Sequence, residues 1–102
     1  MTYDELKRAV ECGRVVLCRT RSQKRAVINM MLEMGFYASD IMKHSVDMDF
    51  PYIGLNLKTT GSIDAWTCQL IGKREDSAIN AEEFLAFRDE VSGLQPVMSL
   101  YE

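Results

Sequence analysis

Several absences narrow what this chain can be. No apolar run approaches the roughly 20 residues that a membrane-spanning helix needs. The opening residues Met1-Thr2-Tyr3-Asp4-Glu5 lack the basic-then-apolar order of a secretory signal. Cysteine is sparse and odd in number: Cys12, Cys18 and Cys68 form no close pair, which argues against a disulfide framework and for reduced thiols in a cytoplasmic setting. No glycine-rich loop supplies a nucleotide fingerprint. The single histidine, His44, has no serine or cysteine near it with the signature of an activated nucleophile. With Asp47 and Asp49 it makes too thin a pattern for a metal centre. The expectation is a protein that is not an enzyme and carries no metal or cofactor.

What is present is an ordinary globular composition. The chain has 102 residues, 47% apolar and 26% charged, enough for one domain over residues 1–102 and too few for a second core. Seven methionines are read as filling an irregular core. The net charge is −3, but the charge is unevenly placed. Between Glu11 and Glu33 lie Arg14, Arg19, Arg21, Lys24 and Arg25 and no acidic residue; the remainder, seven basic against 15 acidic residues, sums to −8. Concentrated charge of this kind steers an oppositely charged partner.

The pattern of apolar and capping residues predicts six elements. Thr2-Tyr3-Asp4-Glu5 reads as a capping box, with Leu6 and Val10 on one face and Cys12-Gly13 closing the helix. Arg14 to Arg19 reads as a central strand, because its middle four residues are all apolar. Thr20 or Ser22 caps the next helix, whose stripe is Val27, Met30, Met31 and Met34 before Gly35. Asp40 is expected to cap a short turn, and residues 45–49 to form an edge strand or loop. Tyr52 to Lys58 alternates with Ile53, Leu55 and Leu57 on one side, and Ser62 to Ile71 answers it as a hairpin. Asn80-Ala81-Glu82-Glu83 offers a second capping box before Phe84, Phe87 and Val91. Val97, Met98, Leu100 and Tyr101 in the tail are expected to pack on the body or on a second copy. The order α-β-α-β-β-α predicts an α+β two-layer sandwich, with helices packed on one face of a three- to four-stranded sheet.

The strand-to-helix junction is the candidate binding site. Arg19, Arg21 and Arg25 bring bidentate donors, Lys24 a point charge, and Thr20 or Ser22 a hydroxyl, at a helix start whose amides already favour anions. Cations there oppose the helix dipole, by typically ~0.3–1 kcal/mol each, so their presence hints at use. Trp66 and Tyr52 could stack bases only with cations beside them, and Lys58 is the one near in sequence, so Trp66 is read as core. Cys18, inside an apolar strand, is read as inert core.

From Arg14 onward the chain resembles small accessory proteins of tailed phages and mobile elements. The residues that carry this are a strand with Cys18 near its end, the helix close Met34-Gly35-Phe36, a hairpin, and Ile79-Asn80-Ala81-Glu82-Glu83-Phe84-Leu85. It departs from them at Arg21 to Arg25, where such proteins usually carry acidic residues. The resemblance implies binding and inhibition of a host protein in the host cytoplasm, for instance a CRISPR-type defence nuclease presenting an acidic surface. The alternative is capture of a phosphate-bearing nucleotide signal at the same junction, as a homodimer.

Overall fold

The first helix begins where its capping box predicts. The Thr2 hydroxyl accepts from the Glu5 amide at 3.2 Å and the Glu5 carboxylate accepts from the Thr2 amide at 2.8 Å. The bond from the Thr2 amide, and after it the Thr2 side chain, hold the Glu5 carboxyl below its ordinary pKa. The computed structural model describes residues 1–93. In chain order its elements are α1 (Tyr3–Glu11), β1 (Val16–Leu17), α2 (Arg21–Glu33), α3 (Asp40–Lys43), β2 (Tyr52–Leu55), β3 (Ile63–Trp66), α4 (Cys68–Ile71), a 3-10 turn (Gly72–Ser77), β4 (Ile79–Asn80), α5 (Ala81–Leu85) and α6 (Arg88–Gly93). None of the described helices is long and apolar enough to cross a membrane.

The fold is α+β around a four-stranded mixed sheet of order β3-β2-β1-β4. The central position of β1 follows from its sequence: Val15, Val16 and Cys18 are all buried, so both faces of this strand need cover. Its ladder is shorter than the Arg14 to Arg19 run, because only Val16 and Leu17 pair with both neighbours. One neighbour, β2, is antiparallel; the other, β4, is parallel. β4 is two residues long, too short to carry an alternating pattern in the sequence.

Register sorts the side chains into two layers. Val16 lies opposite Ile53 and Ile79, Ile53 opposite Ala65, and Leu55 opposite Ile63. These residues meet Leu6 and Val10 of α1, Val27, Ile28, Met30 and Met31 of α2, and Ala81 and Phe84 of α5 in the main core. The methionine stripe is therefore interior, as its spacing predicts. The alternate residues Val15, Leu17, Tyr52 and Trp66 face the other way and form a smaller cluster with Ile71 and Ala78.

That second cluster overturns part of the hairpin expectation. The strand predicted over Ser62 to Ile71 stops at Trp66, because the Thr67 hydroxyl accepts from the Leu70 amide and starts a helical turn. α4 and the 3-10 turn then fold back, and Ile71 of α4 joins the smaller cluster on the second face. β2 likewise ends at Leu55, since the Asn56 carbonyl accepts the amides of Thr59 and Gly61. Leu57 consequently leaves the alternation and is 54% exposed.

Three smaller expectations also change. Ser39, not Asp40, caps α3, its hydroxyl accepting from the Met42 amide. Asn80 makes no side-chain cap, because its Oδ1 is taken by Arg19. The last helix breaks at Ala86-Phe87 into α5 and α6, while Phe84 and Val91 still reach the core. The predicted packing of the tail falls outside the described residues.

Candidate functional site

The junction between β1 and α2 is built by capping. The Thr20 hydroxyl accepts from the Gln23 amide at 3.1 Å, and the Gln23 side-chain oxygen accepts from the Arg19 amide at 2.7 Å. Thr20 is thus the N-cap of α2, and the Gln23 side chain ties back one residue before the cap, to Arg19. This assigns Thr20 to helix initiation. Ser22 is one residue inside the helix, exposed, and plays no part in the cap.

The five clustered cations do not stay together. The Arg19 guanidinium donates to Asn80 Oδ1 at 3.0 Å and so links β1 to the start of α5. Arg14 leaves in another direction and donates to the Ser77 carbonyl at 2.8 Å. Lys24 turns inward: it is 0% exposed and its Nζ donates to the Asp47 carbonyl at 2.6 Å. Its place as an outward point charge is therefore corrected. The reason is helical phase, since Lys24, Val27, Ile28 and Met31 share the spacing that faces the core. Burial pushes the Lys24 pKa down, while Asp47 and Cys18 draw it back up. Cys18 lies beneath the same corner, and desolvation raises its thiol from 9.0 to about 12. It is a protonated, inert core residue, as read from the strand.

Arg21 and Arg25 remain, four residues apart on one exposed helix face. With Ser22 and Val46 they line a shallow depression of about 300 Å³. The Lys43–Asp40 ion pair lies elsewhere on the surface, and neither Arg21 nor Arg25 meets a carboxylate of the described residues within 4.0 Å. The outward part of the predicted site is thus Arg21, Ser22 and Arg25.

A second group assembles on the far face of the sheet, where no sequence spacing could have shown it. The Arg74 guanidinium lies 4.4 Å from the Trp66 ring centroid, and its Nη2 donates to the Gly13 carbonyl at 2.9 Å. Arg14 makes the reciprocal link to Ser77, so two guanidinium–carbonyl bonds clamp the 3-10 turn to the α1–β1 corner. The Tyr52 hydroxyl donates to Glu75 at 3.2 Å, and burial followed by the Glu75 charge raises its pKa. Arg14, Lys58, Trp66 and Arg74 all line one cleft of about 480 Å³. The sequence offered Lys58 alone as a cation for Trp66; Arg14 and Arg74 stand 52 and eight residues from it in sequence.

Among the described residues no group of three His, Cys, Asp or Glu side chains is placed to hold a metal ion. No family model, curated protein or solved structure matches this chain.

Proposed function

We propose that this protein is a non-enzymatic binding protein that docks its Arg21–Ser22–Arg25 face on an acidic protein surface. The observation that supports this is the state of the two guanidinium groups: both are exposed, and neither meets a carboxylate of the described residues within ion-pair distance. They stand on a rigid 13-residue helix whose inner stripe is fully packed, so little ordering is needed on contact. In an otherwise acidic molecule such a patch serves orientation and association rate. Arg19 and Thr20 hold the junction in shape, and Lys24 anchors it from inside. The resemblance to phage accessory proteins supports a host protein as the target, with inhibition of a defence nuclease as the proposed outcome.

The test is affinity capture from bacterial lysate at two salt concentrations. Wild-type bait should retain one stoichiometric protein at low salt, and the Arg21→Glu, Arg25→Glu double variant should lose it. Lys58→Glu, on the opposite side of the sheet, should retain it. Equal capture by wild type and double variant would end this reading.

A further inference from the structure

Going beyond the docking face, we propose that the cleft between the β2–β3 hairpin, the α1–β1 corner and the 3-10 turn binds a nucleoside monophosphate or an anion of that chemistry. The charge is one-sided: Arg14, Lys58 and Arg74 line the cleft, and among the described residues no carboxylate side chain lines it. Two nearby carboxylates are engaged by neighbours, Asp64 by the Asn56 amide at 3.0 Å and Glu75 by the Tyr52 hydroxyl. Each guanidinium spends a single N–H on the backbone carbonyl that fixes it, Ser77 for Arg14 and Gly13 for Arg74. A guanidinium has five N–H donors, so most of its fork remains for a phosphate. Because both groups are already held, binding would cost little side-chain entropy.

The walls are as informative as the charges. Trp66, Leu57 and Leu70 line the same cleft, and Leu57 and Leu70 are exposed large apolar residues. Leu70 is 70% exposed although it sits one residue from the buried Ile71. An apolar rim over a cationic floor suits a ligand with a planar apolar body and an anionic end. A volume of about 480 Å³ lies within the range of small-molecule sites, roughly 300–1,000 Å³. The clamp also gives the site a defined floor, since Arg14 and Arg74 tie together segments about 60 residues apart.

Trp66 is the single tryptophan of the chain, so its emission reports on this cleft alone. The experiment is a fluorescence titration with AMP at low salt, with adenosine and inorganic phosphate as the two halves of the probe. Saturable quenching by AMP is expected, with each half binding about tenfold more weakly or worse, as the loss of one charge-assisted contact set implies. Lys58→Glu changes an exposed residue whose side chain makes no hydrogen bond or ion pair among the described residues, and should weaken AMP by about tenfold. Arg21→Glu, Arg25→Glu should leave the titration unchanged, which separates this site from the docking face. Absence of saturable quenching up to millimolar AMP, equal binding of either half, or indifference to Lys58→Glu would each overturn the proposal.

Discussion

Raising the pH should loosen this protein through one thiol. Cys18 is 1% exposed and carries a folded pKa of about 12 against an ordinary 9.0. Above pH 9 the unfolded chain releases that proton first, so the unfolded state gains and stability falls until the folded value is reached. At about 1.36 kcal/mol per unit, two pH units from 9 to 11 remove roughly 3 kcal/mol. Lys24 works against this over part of the range. Its folded pKa lies below 10.5, so between that value and 10.5 the unfolded chain binds the extra proton and stability rises with pH. Tyr52, whose pKa is raised, adds to the alkaline loss in both proteins compared below. The quantity to measure is the difference between wild type and Cys18→Ala, which contains the thiol and its coupling to Lys24, by urea denaturation under reducing conditions at pH 8 and pH 11. Wild type should lose roughly 3 kcal/mol more than the variant. Parallel losses would mean that Cys18 is hydrated, and with it that β1 is not the doubly covered strand at the sheet centre.

The remaining predictions concern the scaffold of the two sites. Gly54 faces β1 at a close approach: a Cβ there would stand 2.9 Å from Val15 Cγ1 and 3.3 Å from the Arg14 carbonyl oxygen. Gly54→Ala should cost about 1–3 kcal/mol in urea denaturation, and combining it with Val15→Ala should cost less than the sum of the two. Thr20→Ala removes the cap of α2 and should lower stability by about 1 kcal/mol, with capture of the protein partner unchanged at temperatures well below unfolding. Loss of capture with unchanged stability would instead place the Thr20 hydroxyl at the interface.

How much of this was legible in advance varies with the range of the forces involved. Helix starts are local, and Thr2 with Glu5 or Thr20 with Gln23 satisfy backbone donors only three residues away. The turns at Cys12-Gly13 and Met34-Gly35 are local as well, with Gly13 at φ 99° and Gly35 at φ 102°, where side chains are strained. The stop at Thr67 was equally local but competed with a convincing alternation through Leu70, and the hydroxyl cap prevailed over the pattern. The inward turn of Lys24 was available from its phase with Val27 and Ile28, but its charge masked it.

The chain alone determined that an apolar central strand, a methionine-striped helix and a phenylalanine-bearing close would share one core, because periodicity and burial preference are properties of neighbouring residues. It also determined that the molecule is acidic with a basic segment. Only tertiary structure decided where those charges went. One register places β4 beside β1 and brings Asn80 to Arg19; one fold-back of the 3-10 turn brings Arg74 to Trp66 and Gly13. Arginine side chains are long and flexible, and their direction is chosen by whichever carbonyl or ring the distant chain presents. That choice is written in contacts some 60 residues apart, where no sequence spacing carries it.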